Sequence, residues 1–140
     1  MFECRAPKNQ QEFDQYYHLR WKILRKPLNQ IKGSERDELE TQSIHRAIFD
    51  VNGNVAAVAR LHFSGMFSAQ IRYMAVADNF QGQGLGQQLV FALEQFAINL
   101  GINKISLKAR EQAVNFYQKL SYTNISFSHL LFNKIKHFNM

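Results

Sequence analysis

The stretch from Gln70 to Ala109 constrains the fold most, because it reads as strand, glycine-bearing loop, long amphipathic helix and second strand. Leu85, Leu89, Ala92, Leu93, Phe96, Ala97 and Leu100 recur at helical spacing between Gly84 and Leu100. Gly101 stands where a helix-ending glycine belongs. Gln70–Val76 and Asn103–Ala109, the latter with Ile105 and Leu107 inward, flank this helix as strands. A strand–helix–strand unit of this kind is a βαβ crossover, which sets its two strands parallel in one sheet.

The remaining segments add to that sheet. Phe2–Ala6 reads as a short strand, and Asn9 as the cap of a helix that carries Phe13, Tyr16, Tyr17, Ile23 and Leu24 as far as Arg25, where Pro27 stops it. Leu28–Ser43 is polar and reads as a long loop, a place where backbone is free to shape a pocket. Ile44–Asp50 and Val55–Ser64 form a hairpin across Val51-Asn52-Gly53-Asn54, since Asn-Gly supplies the positive φ of a tight turn. A short helix over Gln112–Leu120 and strands at Tyr122–Phe127 and His129–Lys136 complete the chain. The expected fold is α/β: a mixed, mostly antiparallel sheet flanked by helices. Its 140 residues suit one domain over residues 1–140.

Several classes are disfavoured. No apolar run approaches the ~20 residues of a membrane span. Met1-Phe2-Glu3-Cys4-Arg5 lacks a signal peptide's apolar centre, so a cytoplasmic setting is expected. The lone Cys4 makes no internal disulfide, and the five dispersed histidines show no metal-ligand spacing. A net charge of +6 favours anionic partners, but the basic residues are spread along the chain, which argues against a nucleic-acid binder.

Gln81-Gly82-Gln83-Gly84-Leu85-Gly86 lies after a strand and at the mouth of the long helix. Its glycines either shape a tight turn or cradle an anion, since a helix start offers unpaired N–H groups and a positive dipole end. A P-loop would need Lys-Ser/Thr where Gln87-Gln88 stand. A dinucleotide fingerprint needs a different glycine spacing and an earlier place in the sheet.

The hexapeptide resembles the signature of the GNAT superfamily of N-acetyltransferases, Gln/Arg-x-x-Gly-x-Gly/Ala, at every fixed position. Ile71–Val76 is similar to that family's fourth strand. Ala113-Val114-Asn115-Phe116-Tyr117-Gln118-Lys119-Leu120-Ser121-Tyr122 resembles its Ala-x-x-x-Tyr-x-Lys-x-Gly-Phe/Tyr segment. Tyr17–Arg25 with Gly33–Glu40 and His45 is similar to a bacterial single-domain subgroup of undefined substrate.

The resemblance implies a GNAT-like sheet with splayed central strands and an acetyl-CoA-dependent N-acetyltransferase acting on a primary amine of a small molecule or peptide. Acetyl-CoA would lie where Ile71–Val76 and Ile105–Ala109 part. Backbone N–H groups of Gln81, Gly82, Gln83, Gly84, Leu85 and Gly86 would hold its pyrophosphate, and Met74, Ala75 and Val76 would pair with its pantetheine arm. Ala113, Phe116 and Tyr117 would complete the cofactor site. Tyr117 matches the family's general acid, and an N–H near Val76 its oxyanion donor. Arg110 replaces an Asn that often faces the cofactor and could reach a CoA phosphate. Ser121 replaces a glycine that ends a helix at positive φ. Glu38, Glu111, His45 and His129 are base candidates by residue type, and a water could serve instead. A homodimer is expected from the family, no metal is, and an acyl-CoA-binding sensor without turnover is the alternative.

Overall fold

In the computed structural model, which describes residues 1–132 and 135–140, Asn9 accepts a hydrogen bond from the Glu12 N–H and starts α1 (Gln10–Leu24). Strand β1 (Glu3–Arg5) precedes it, and a short 3-10 turn over Lys26–Leu28 follows it at Pro27. Strands β2 (Ile44–Phe49) and β3 (Val55–Phe63) form the expected hairpin, with Gly53 at φ +81° and the Asp50 N–H donating to the Asn54 carbonyl at 2.9 Å. Then come β4 (Ser68–Val76), α2 (Leu85–Asn99), β5 (Lys104–Arg110), α3 (Val114–Lys119), β6 (Ser126–Leu131) and β7 (Ile135–Asn139).

Two expectations shift. Leu100 belongs to the end of α2 rather than to its buried stripe: it is 56% exposed, and Val90 is the buried residue that the spacing left out. The terminal strands begin later than expected. After Ser121, which does adopt φ +74°, the Tyr122 ring packs edge-on against Tyr117 and its hydroxyl donates to Glu94, so this stretch is held by α2 and α3 instead of a strand partner. The expected strand His129–Lys136 falls partly, at residues 133 and 134, outside the described residues.

The sheet order is β1-β2-β3-β4-β5-β7-β6, with β4–β5 its one parallel pair. The third strand in that order, β3, carries Ala56, Ala57 and Ala59, all fully buried, and their small side chains let structure close in on both faces. On one face Ile71, Leu107 and Leu61 pack with Leu85, Leu89, Leu93 and Ala97 of α2. On the other, Val58, Phe49 and Ala75 meet Tyr16, Tyr17 and Leu19 of α1. Each large aliphatic side chain so buried contributes about 1.5–3 kcal/mol.

The long loop is tied down by charge. Arg20 on α1 and Arg60 on β3 are fully buried, and both donate to the Glu40 carboxylate, at 2.9 and 2.7 Å. Arg60 also makes a two-pronged contact with Asp37, at 2.6 and 3.0 Å. Arg20 donates to the Tyr16 hydroxyl, which lies 2.8 Å from His45 Nδ1, while His45 Nε2 lies 2.7 Å from the Glu40 carbonyl. A carbonyl only accepts, so Nε2 carries the proton and Nδ1 accepts from Tyr16. One loop residue thus closes a ring through its carboxylate and its own carbonyl. Replacing Glu40 with Gln leaves two buried guanidiniums short of charge, and urea denaturation is expected to show a loss of about 3–5 kcal/mol.

Candidate active site at the β4–β5 splay

Strands β4 and β5 pair only from Ser68↔Lys104 to Ile71↔Leu107. Beyond that, Lys108–Arg110 pair with β7, and the end of β4 stays with β3. The departure starts at a bulge. Arg60 faces Arg72 and Val58 faces Ala75, so two β4 residues, Tyr73 and Met74, stand against Ala59 alone. Tyr73 takes φ +58°, a conformation that costs a non-glycine residue about 1–2 kcal/mol. Past the bulge the Ala77 N–H donates to the Ala56 carbonyl at 2.8 Å. Antiparallel alternation then turns the N–H and C=O of Val76 away from β3 and into the gap.

The loop after β4 is open. Gly82 and Gly84 have φ +79° and +77°, and a Cβ on either would meet nothing within 4 Å. Gly84 caps α2 without a side-chain hydrogen bond, and among the described residues no acceptor meets the N–H groups of residues 81–87. Gly86 is needed for closeness: a Cβ there would lie 3.0 Å from Phe116 Cζ and 3.3 Å from Met74 Sδ.

A cleft of about 610 Å³ joins this loop to the splay. It collects Met74, Ala75 and Val76 from β4, Gln81, Gly82, Gly84, Leu85 and Gly86 from the loop and helix start, and Ala113, Phe116 and Tyr117 from the far side. Gln83 and Arg110 are not among its walls. Gln83 is an exposed loop residue, while Arg110 donates to the Leu24 carbonyl at 2.8 Å, at the end of α1. A second cavity of about 120 Å³ lies deeper between the strands and shares Met74, Ala113 and Tyr117 with the first. Tyr117 is 7% exposed, and burial pushes its phenol up to about 12.

Of the base candidates, Glu38 and Glu111 are exposed, and His45 is locked in the Tyr16–Glu40 ring. His129 does line the inner cavity, where burial, Lys108 and Arg72 hold its ring below the ordinary histidine value. Among the described residues no group of three or more His, Cys, Asp and Glu could hold a metal ion, and no helix is long and apolar enough to cross a membrane.

One feature of the site escaped sequence reasoning. Arg20, Arg25, Arg60 and Arg72 all lie within 4.5–5.7 Å of the Tyr73 ring centroid. They come from α1, the residue after it, β3 and β4. Only the strand register brings them together, so no local pattern announces the cluster.

A splayed parallel pair beside an open, glycine-lined helix start is the arrangement that the resemblance to the GNAT family implied. The model of the acetyltransferase (GNAT) family matches residues 10–122. The chain is 29% identical over 133 residues to the uncharacterized N-acetyltransferase YjcF of Bacillus subtilis (strain 168), covering 95% of this chain and 94% of that protein. An acyl-CoA N-acyltransferase from Pseudomonas aeruginosa shares the fold, with TM-score 0.78, 19% identity and coverage of 100% and 97% of the two chains. So does an aminoglycoside 6'-N-acetyltransferase complexed with coenzyme A, with TM-score 0.78, 16% identity and coverage of 99% and 93%. The chain therefore belongs to the GNAT acetyltransferase family, enzymes that transfer an acyl group from CoA.

The pH response of stability follows from the buried rings. Burial, with Arg20 and Arg60, lowers His45 against the pull of the Glu40 carbonyl, and burial likewise lowers His62 and His137. Below pH ~6.5 the unfolded chain takes up protons that these rings refuse, so stability falls with falling pH. Burial alone would raise Asp37, but Arg60 and the Leu39 N–H together hold it below its ordinary value, which adds a further loss below pH ~3.9. Melting temperatures measured from pH 8 to 3 are expected to fall in these two stages.

Proposed function

We propose that the chain uses acetyl-CoA to acetylate a primary amine of a small molecule or peptide. The observation that carries this reading is the row of N–H groups at residues 81–87, which meet no acceptor among the described residues and end in a cleft that leads to Tyr117. Their dipoles and the start of α2 fit a diphosphate. The walls at Phe116, Met74 and Ala113 fit an apolar arm, and the Val76 C=O fits a pantetheine amide N–H as a further strand would. Arg110, which donates to the Leu24 carbonyl, stands outside this cleft. When bound, acetyl-CoA supplies an acyl group activated as a thioester.

The chain's own residues then have distinct tasks. The Val76 N–H stabilises negative charge on the acyl oxygen as the amine adds. Tyr117 acts on the departing sulfur. A phenol near 12 facing a thiol of ~8.5 would have to climb about 5 kcal/mol to hand its proton over outright. Tyr117 therefore serves as a hydrogen-bond donor to the thiolate, whose proton comes from the amine. His129 lines the inner cavity with its ring held below the ordinary histidine value, which supports it as the group that takes up that proton on its way. A single domain, pairing of two copies and a cytoplasmic setting belong to the same proposal on sequence grounds alone.

CoA at 100 times its Kd is expected to add about 2.7 kcal/mol to stability, seen as a rise in melting temperature. Gly84→Val should remove that rise while leaving the chain folded, since the positive φ costs a side chain only about 1–2 kcal/mol. Tyr117→Phe should lower kcat for thiol release about 100-fold with little change in CoA binding. An unchanged melting temperature with CoA would defeat the reading.

A further inference from the structure

The inner cavity is strongly one-sided in charge. Leu107 and Ala109 of β5 face the α2 core, so alternation sends Lys108 and Arg110 to the other face. There they meet Arg25, Arg72, His129 and His137 as walls of one space. Among the described residues no carboxylate lines it. Of its cations Arg72 makes an ion pair, with Asp37 at 3.6 Å, and that carboxylate is already gripped by Arg60, while Glu35 acts on Arg25 only at longer range. Among the described residues Arg25, Lys108 and Arg110 form no ion pair.

Two of these cations are expensive to keep. Arg25 is 7% exposed and donates only to carbonyls, those of Ser34 and Leu24. Arg110 donates to the same Leu24 carbonyl, the last of α1. Burial disfavours the charge on both; Arg72 and Arg20 add to this at Arg25, against Tyr73 and Glu35, and Arg25 adds to it at Arg110. A helix C-terminus offers only about half a negative charge, within one turn, so it cannot balance two guanidiniums. Buried charges are kept where something pairs them. The cavity's volume, about 120 Å³, leaves room for roughly four waters, enough for a small oxyanion.

We propose that this cavity binds an anionic group, carboxylate or phosphate, carried by the acceptor amine. The acceptors are then small amines bearing an acidic group a short distance from the nitrogen. This rests on the acetyl-transfer reading above, because the cavity matters to acceptors only if the adjoining cleft holds the acyl donor. The two cavities meet at Met74, Ala113 and Tyr117, so an anion among Arg25, Lys108 and Arg110 would direct its amine towards Tyr117.

The test uses the full chain saturated with CoA, with a melting-temperature rise on CoA addition recorded first. Inorganic phosphate and acetate are then titrated separately at constant ionic strength against chloride. One or both should raise the melting temperature further, and the arm that responds names the anion. Arg110→Gln and, because Arg110 also braces α1, the exposed Lys108→Gln should each reduce that rise at least threefold. With acetyl-CoA and thiol detection, an amino acid or phosphorylated amine should exceed its neutral ester or alcohol counterpart at least tenfold in kcat/KM, and both variants should narrow that ratio. A CoA response with no anion response beyond chloride, or an equal anion response in both variants, overturns the inference and leaves the acetyl-transfer reading standing. Absence of the CoA response itself strikes at the acetyl-transfer reading instead.

Discussion

Strands β4 and β5 stop pairing after Ile71↔Leu107, and the rest of the molecule is arranged around that interruption. Two central strands that part leave main-chain groups without partners, an arrangement that ordinarily invites aggregation or water. Here the bulge at Tyr73–Met74 starts the divergence, β7 takes up the free end of β5, and β3 keeps the end of β4. What remains open is a short, specific length of backbone next to a helix start whose amides are also free. Both vacancies suit one elongated ligand with a charged end and an amide-bearing arm.

The strain at Tyr73 is held by its surroundings. Its hydroxyl donates to Asp37 at 3.3 Å, and its ring is surrounded by guanidiniums from three different elements. Asp37 and Glu40 in turn anchor the loop that joins α1 to β2. The splay of β4 from β5 and the buried charge network are therefore one structure: the carboxylates that neutralise Arg20 and Arg60 also keep the bulge in place. Arg25, Lys108 and Arg110, which these carboxylates do not pair, face the inner cavity instead.

Local chemistry was legible in the sequence. The Asn9 cap, the Asn-Gly turn, the α2 stripe apart from Leu100 and Val90, and Gly101 each depend on neighbours a few residues away, and each stands where spacing puts it. The glycine-bearing hexapeptide carried the family. Tyr73 was not legible, because its positive φ is imposed by the register of β3 against β4 and no glycine marks it. The partner of Arg110 was hidden for a similar reason: Leu24 lies 86 residues away. The last strands slipped because β6 is an edge with Phe127 and Leu130 exposed, which blurs the inside–outside alternation that sets strand limits.

The hydrogen bond from Arg110 to Leu24 has a mechanical side. Helix α1 rides on β3 and β4, whereas Arg110 belongs to β5, so this single contact acts as a strut between the two arms of the wedge. Any motion that spreads the arms must stretch it first. The width of the opening is thereby set from outside the glycine-bearing loop, by a side chain that a change of helix position would load directly.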